Sequence, residues 1–260
     1  MNRQPGRIRI VVLHGIGRQT DGFWSHLESG LTREFQNRNI LDWSIHGFLY
    51  SDIAELHQDR YWNALDKKTV SMDRFRELFL YYFGDAGAYG TRPGDKQGNY
   101  RKIHGRLEKR LAEVISGMPQ NGFLVVLAQS FGSHVFSNFY WDYTKKLVKP
   151  RRLKGLPGKF RLFITTGCNI PVIVAGLEHA EPFTRPNKDF QWINIYDKDD
   201  ILGWPLRPLG GGFGMSDWIE DRIIDAGLPL VSHMNYWKSK NSLKIIADAV
   251  AEAQRRNLSG

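Results

Sequence analysis

Short apolar runs and amphipathic segments alternate along this chain of 260 residues. The apolar runs are short and rich in β-branched residues, which is typical of strands buried in a sheet. They are 7–13, 123–127, 160–166 and 190–196, with weaker candidates at 43–50 and 228–232. Segments with apolar residues three or four positions apart, which predict helices, are 22–39, the stretch after position 130, and 242–256. Strands that alternate with helices predict a three-layer α/β fold, in which a mainly parallel sheet carries helices on both faces.

The stretch 51–118 interrupts this alternation because it contains no clear strand. Helical patterns occur at 53–65, 72–89 and 100–115. The segment 91–98 is a turn-rich break between the last two. Two interpretations stay open: a helical insertion that roofs a cleft, or ordinary crossover helices, which parallel strands require. The Gly-rich stretch 206–214 predicts a loop. Since no internal repeat or low-complexity linker occurs, we expect one domain over residues 1–260 with its insertion at about 51–118.

A serine lies between the apolar run at 123–127 and the helical pattern after it. Ser130 is flanked by Ala128 and Gly132 in the order Ala-Gln-Ser-Phe-Gly, which is the G-x-S-x-G nucleophile elbow with alanine in place of the first glycine. Small residues are needed there because the turn is tight and neighbouring backbone passes close to both flanking positions. A helix-capping serine is the simpler interpretation of the same residue, so the rest of the chain must decide between the two.

Two further features follow Ser130 in a meaningful order. An acidic cluster at 197–200 follows the run at 190–196, and His233 precedes the last helical pattern. Ser, then Asp, then His is the chain order of the α/β-hydrolase triad, and chemistry in parallel sheets lies at the carboxyl ends of the strands. In such a triad the histidine takes the serine proton, while the carboxylate orients the imidazole. These positions therefore predict Ser130 as nucleophile and His233 as base.

These motifs together resemble the α/β-hydrolase superfamily of serine esterases and lipases. The resemblance covers the catalytic framework from about residue 8 to 237, and it is strongest at three motifs. They are the Val-Leu-His-Gly-Ile-Gly stretch at 12–17, the elbow at Ser130, and the Asp and His sites. The resemblance implies hydrolysis of a carboxylic ester through an acyl-enzyme, with thioesters and amides open to the same triad.

The acid has three candidates, because carboxylates stand at positions 197, 199 and 200. The segment 195–204 is similar to the Tyr-x-x-x-Asp-Pro-Val-Ala-Tyr stretch of DDHD-type phospholipases, and that register implies Asp200. A looser register implies Asp199, and Asp197 ranks third. Since these acids cannot all be buried and charged so close together, we expect the other two to face solvent or to form local hydrogen bonds.

The Gly-rich loop at 14–17 follows the first strand, where the second oxyanion N–H of this fold is expected. The predicted oxyanion donors are the backbone N–H groups of Ile16 and Phe131. Glycines in such a loop let the backbone approach a substrate closely. The residues expected to line the substrate site are His14, Gly15, Gly17 and Gln129. Of these, His14 is interpreted as a structural loop residue rather than a second base.

Composition and charge limit the kinds of partner and cofactor that we expect for this protein. The formal net charge is +9, and the densest basic run lies at 145–154. No nucleic-acid motif accompanies this run, so we expect a solvated surface that allows at most weak attraction to anionic membrane lipids. The single cysteine, Cys168, excludes an internal disulfide, and no ligand spacing predicts a metal or another cofactor. A polar N-terminus without a signal-peptide pattern predicts a cytoplasmic protein.

Two functions remain. The first is an enzyme that cleaves an ester with an apolar acyl or aryl group, an interpretation favoured by aromatic residues near the motifs, such as Trp204 and Trp237. The alternative is a non-catalytic binding or scaffold protein that keeps the α/β-hydrolase fold and uses its basic surface. A complete set of nucleophile, base, acid and oxyanion loop favours the enzyme, because a scaffold has no need to retain all four.

Overall fold

The computed structural model describes residues 7–17, 19–54, 63, 80, 89, 98–147, 153–178, 180–227 and 231–259. Most of the expected insertion therefore lies outside the described residues, including nearly all of the predicted helical patterns at 53–65 and 72–89 and the turn at 91–98. The third pattern, at 100–115, is a helix in the structure. Among the helices of the described ranges, none combines the length and the apolar content that a membrane span requires.

Six strands form one sheet. They are β1 Ile8–Leu13, β2 Trp43–Phe48, β3 Phe123–Gln129, β4 Phe160–Thr166, β5 Gln191–Asp197 and β6 Ile219–Ile224. Their order across the sheet is β2-β1-β3-β4-β5-β6, and every neighbouring pair is parallel. The predicted parallel sheet is confirmed. Because all strands run the same way, their carboxyl ends share one edge, at which Ser130 follows β3 in the middle of the sheet.

Helices connect the strands. They are α1 Ser25–Gln36, α2 Ser51–Ala54, α3 Asn99–Ser116, α4 Phe131–Thr144, α5 Leu156–Lys159, α6 Ile170–Val174, α7 Gly211–Met215, α8 Ser232–Asn235 and α9 Lys240–Ser259. A 3-10 helix spans Arg207–Leu209.

The core has two parts, one on each face of the sheet. Side chains alternate between the faces along a strand, so Ile10 and Val12 of β1 join one cluster while Val11 and Leu13 join the other. The first cluster is covered by apolar residues of α1 and α9, and the second by those of α3 and α4. This arrangement confirms the three-layer α/β fold with helices on both faces.

Two predictions along the C-terminal third were wrong. Among the described residues the last strand is β6, which no apolar run predicted, and it lies before the predicted segment 228–232. Of that segment, 228–230 lies outside the described residues, Val231 is in a turn and Ser232 begins α8. The Gly-rich stretch 206–214 is also not a plain loop, since it contains the 3-10 helix and most of α7. The Arg207 guanidinium stabilises these short helices by donating to the carbonyls of Gly214, Ser216 and Ile219.

Candidate active site

Ser130 occupies a sharp turn between β3 and α4. Its φ of +50° and ψ of −123° are strained for a residue with a side chain. The turn is held by a hydrogen bond from the Ser130 N–H to the Thr166 carbonyl, 2.9 Å long. Gly132 is required two residues later, because a Cβ there would lie 2.4 Å from the carbonyl oxygen of His14. A strained serine on a strand-to-helix turn of a parallel sheet is the nucleophile elbow. The chain has the α/β-hydrolase fold.

His233 lies on the short helix α8 and faces the serine. The Ser130 hydroxyl is 2.9 Å from His233 Nε2, so it can donate its proton to the imidazole. Both residues are buried. The side-chain amide of Gln129 donates to the His233 carbonyl at 2.9 Å, which ties α8 to the end of β3. Gln129 was expected to line the substrate site; its amide supports the histidine, and the residue also lines the cavity beside Ser130.

Asp200 contacts the other imidazole nitrogen. Its Oδ2 is 2.8 Å from His233 Nδ1 and also accepts the hydroxyl proton of Tyr236 at 2.8 Å, while its Oδ1 accepts the Leu202 N–H at 2.9 Å. Burial opposes the charged carboxylate, but these hydrogen bonds outweigh it and lower the pKa of Asp200. An ionised Asp200 keeps the proton on Nδ1 and leaves Nε2 free to accept the serine proton. Sequence reasoning did not predict the Tyr236 contact.

The other two acids have different environments. Asp199 is exposed. Asp197 is buried at the end of β5, where its carboxylate accepts the backbone N–H groups of Asp199 and Ala226. Two glycines make room for Asp200 instead: a Cβ on Gly203 would lie 2.3 Å from Asp200 Oδ2, and one on Gly167 would lie 3.2 Å from it. The structure therefore brings one carboxylate of the three to the imidazole.

The loop at 14–17 lies against the elbow. A Cβ on Gly15 would be 2.9 Å from the Cβ of Ser130, so glycine allows this close approach. His14 is buried and stacks on Tyr50, with 4.1 Å between the ring centroids. Its Nδ1 binds the Gly15 carbonyl at 2.6 Å, and its Nε2 accepts the Tyr50 N–H at 3.2 Å. Burial lowers the pKa of His14 to about 4, so a neutral imidazole supports the loop.

A cavity of about 200 Å³ opens above Ser130 and His233. Its lining combines the loop, the elbow and α8, and comprises His14, Gly15, Ile16, Gln19, Phe23, His26, Gln129, Ser130, His233, Met234, Trp237 and Lys238. Among the predicted oxyanion donors, Ile16 lines this cavity, and Phe131 is the first residue of α4, where a backbone N–H has no acceptor within the helix. Gly17, with a φ of +89°, is absent from the described lining.

A larger cavity of about 460 Å³ lies beside α4, lined in part by Trp141, Lys145 and Phe213. Neither Ser130 nor His233 belongs to its described lining, so of these two cavities the smaller is the one that reaches Ser130 and His233. Within the described ranges, no group of three or more His, Cys, Asp or Glu side chains is arranged to hold a metal ion.

Known structures of similar shape include several hydrolases. The α/β serine hydrolase XC6422 of Xanthomonas campestris, described as lacking a lid, has a TM-score of 0.44 and 13% identity, covering 96% of this chain and 82% of its own. ATU1826 of Agrobacterium tumefaciens, a protein of unknown function, has a TM-score of 0.47 and 14% identity over 99% and 90% of the two chains. An esterase domain from Rhodothermus marinus has a TM-score of 0.41 and 8% identity over 98% and 88%.

At these identities and TM-scores, the likeness to known structures adds nothing to the assignment of an activity. No protein-family model matches the chain, and no curated protein matches it significantly. The similarity of 195–204 to DDHD-type phospholipases is therefore not shown by any comparison.

Proposed function

We propose that this protein is a serine hydrolase that cleaves a carboxylic ester through an acyl-enzyme on Ser130. The observation that carries the proposal is one continuous hydrogen-bonded chain, from the Ser130 hydroxyl through His233 to Asp200, at 2.9 Å and 2.8 Å. These lengths lie within the range needed for proton transfer between a nucleophile, its base and the orienting acid. This series of hydrogen bonds ends at Ser130, which lines a cavity that can admit a small substrate.

In the proposed first half-reaction, Ser130 Oγ attacks the ester carbonyl carbon while His233 Nε2 takes the hydroxyl proton. The carbonyl oxygen becomes an oxyanion, for which the N–H groups of Ile16 and Phe131 are the proposed donors. The bond to the alcohol oxygen then breaks, and His233 returns its proton to the departing alcohol. In the second half, water attacks the acyl carbon while His233 takes one of its protons. The bond from the acyl carbon to Ser130 Oγ then breaks, and His233 returns the proton to Ser130 as the acid leaves.

The cavity supports a small apolar substrate. At about 200 Å³ it lies below the range of about 300–1,000 Å³ that is typical of drug-sized ligand sites. Phe23, Met234 and Trp237 supply apolar lining, and Lys238 supplies one cation. We therefore propose a short acyl or aryl ester as substrate. The local resemblance to DDHD-type phospholipases makes a short-chain phospholipid ester the second class to test.

A fluorophosphonate probe tests the proposal, because it forms a covalent bond with activated serines without requiring knowledge of the substrate. We expect one adduct on Ser130 and hydrolysis of short-chain p-nitrophenyl esters, and both are lost in Ser130→Ala. Ser133→Ala is the matched control, since Ser133 is buried one turn further along α4 and should leave labelling intact. Wild-type protein that takes up no probe and hydrolyses no ester contradicts the enzyme and favours the scaffold alternative.

A further inference from the structure

The Tyr236 hydroxyl bridges two acids that lie close together along the chain. It donates to Asp200 Oδ2 at 2.8 Å and accepts the backbone N–H of Asp197 at 2.8 Å. The side chain is fully buried, and its ring packs near Gly167, where a Cβ would lie 2.8 Å from Tyr236 Cε2. Tyr236 therefore holds the acid loop against the end of β5.

The direction of the hydroxyl proton follows from these partners. The N–H of Asp197 can only donate, so it must use a lone pair on the tyrosine oxygen. The tyrosine O–H is then directed to Asp200, its hydrogen-bond acceptor among the described residues. Asp200 Oδ2 consequently receives two hydrogen bonds, one from His233 and one from Tyr236. Both donors therefore stabilise the negative charge of this oxygen.

We propose that Tyr236 is a positioning residue for the ester hydrolysis proposed above: its hydroxyl holds Asp200 against His233 and limits how strongly that carboxylate retains a proton on the imidazole. The inference rests on the proposed function, because a base matters only if Ser130 is a nucleophile. Tyr236 is not itself among the residues described as lining the cavity, and its hydroxyl donates to Asp200, so the hydroxyl acts through Asp200.

Few other titratable groups influence the pKa values of Asp200 and Tyr236. The pKa of Asp200 is affected first by burial, then by His233 and also by Tyr236. For Tyr236, burial is the main cause of a raised pKa, with Asp200 and then Asp197 adding to it. Ser130 meets the far side of the imidazole. A change at the Tyr236 hydroxyl should therefore reach the serine only through Asp200 and His233.

Tyr236→Phe removes the hydroxyl and keeps the ring that fills the core. Without this donor, the negative charge of Asp200 concentrates toward His233, so the imidazolium becomes more stable and harder to deprotonate. We expect the acid limb of the kcat/KM profile to move to higher pH by about one unit, a tenfold change in proton affinity. Activity should fall about tenfold near neutral pH, with little change in KM, and should recover at alkaline pH.

Tyr140→Phe is the matched control. Tyr140 is also fully buried, and its hydroxyl has no hydrogen-bond partner among the described residues. This variant should keep the wild-type pH profile, while circular dichroism and thermal unfolding confirm that both variants fold. A Tyr236→Phe profile that matches Tyr140→Phe, or an equal loss at every pH, overturns the proposal, because a merely structural role would not be rescued by alkali.

A second perturbation works in the opposite direction and keeps the side chain. Replacing Tyr236 with 3-fluorotyrosine makes the hydroxyl a stronger donor, so the acid limb should move to lower pH. An unchanged limb or one that moves to higher pH contradicts the proposal. This measurement stays decisive if Tyr236→Phe does not fold.

A spectroscopic readout separates this proposal from the proposed function. The proton between His233 Nδ1 and Asp200 should give a far-downfield ¹H NMR resonance, which needs no turnover. If wild-type protein neither labels nor hydrolyses esters, the proposed function fails, and the resonance alone tests the positioning. A downfield shift in Tyr236→Phe but not in Tyr140→Phe supports it, and an unchanged resonance in Tyr236→Phe overturns it.

Discussion

Replacing Asp200 by asparagine tests the acid of the proposed triad. The carboxylate accepts three hydrogen bonds: Oδ2 from His233 and Tyr236, and Oδ1 from the Leu202 N–H. An asparagine side chain has one acceptor oxygen and one NH₂ group, so at least one of these donors must face an NH₂. If the amide oxygen stays with Leu202, His233 must turn its Nδ1 into an acceptor, and its proton moves to Nε2. The base for Ser130 is then lost.

The opposite orientation of the asparagine is also costly. If the amide oxygen stays with His233, the partly buried N–H of Leu202 faces the NH₂ group, and a buried donor without its partner costs up to about 1–3 kcal/mol. We therefore expect the wrong imidazole tautomer to dominate. In a Ser-His-Asp enzyme this change lowers kcat by about 10⁴, which corresponds to about 5 kcal/mol of activation free energy. Asp200→Asn should reach that order of magnitude.

The two neighbouring acids should respond differently from Asp200 and from each other. Asp199 is exposed, so Asp199→Asn should change neither kcat nor stability. Asp197 is buried and accepts the N–H groups of Asp199 and Ala226. Asp197→Asn therefore leaves one of those donors facing an NH₂ group, and the free energy of unfolding should fall by about 1–3 kcal/mol. The kcat of the folded Asp197 variant should stay close to wild type.

The assay compares the three single variants on one p-nitrophenyl ester, with kcat and KM measured separately and stability measured by urea unfolding. A crippled Asp199→Asn beside a near-normal Asp200→Asn would refute the assignment of the acid. If none of the three variants lowers kcat, the hydrogen-bonded chain at Ser130 is not a catalytic triad.

Two further perturbations test the elbow and the buried histidines. Gly132→Ala should lower the free energy of unfolding by about 1–3 kcal/mol and reduce kcat, because its Cβ would lie 2.4 Å from the His14 carbonyl oxygen. The control is Gly105→Ala in helix α3, whose Cβ meets nothing within 4 Å and which should stabilise the protein by up to about 1 kcal/mol. Equal losses of stability in the two variants would contradict the packing argument. Burial lowers the pKa of His14 and of His134 to about 4. Between about pH 6.5 and pH 4 the unfolded chain therefore binds protons that the folded chain does not. The free energy of unfolding should fall as the pH drops through this range. Urea unfolding at several pH values measures this slope, which His134→Gln should make shallower; a slope that stays the same in this variant would show that His134 titrates normally.

Local pattern was enough to predict the centre of the sheet. The apolar run at 123–127 became β3 because a strand in the middle of a parallel sheet is covered on both faces and reads as continuously apolar. The turn after it could also be predicted, since the small residues around Ser130 are dictated by close backbone contacts. Chain order together with the geometry of parallel strands was enough to direct the acidic cluster and His233 to the same edge as Ser130.

The edge of the sheet could not be predicted in this way. Strand β6 has only its first and last residues buried, Ile219 and Ile224, with polar residues Glu220, Asp221 and Arg222 between them. An edge strand pairs on one side only, so it needs no continuous apolar run, and its sequence did not distinguish it from a loop. The helix α7 was not predicted for a related reason, because contacts from Arg207 to the carbonyls of Gly214 and of Ser216 just after the helix support it, rather than helix propensity.

The sequence by itself determined the parallel arrangement of the central strands and the chain order of serine, acid cluster and histidine. Only the tertiary structure decided which carboxylate meets the imidazole, because a loop has no periodicity that tells which way each side chain points. Residues distant in the chain determine this. The backbone N–H of Ala226 donates to the carboxylate of Asp197, while Tyr236 and His233 donate to that of Asp200. Hydrogen bonds between segments that meet only after folding leave no local pattern in the sequence.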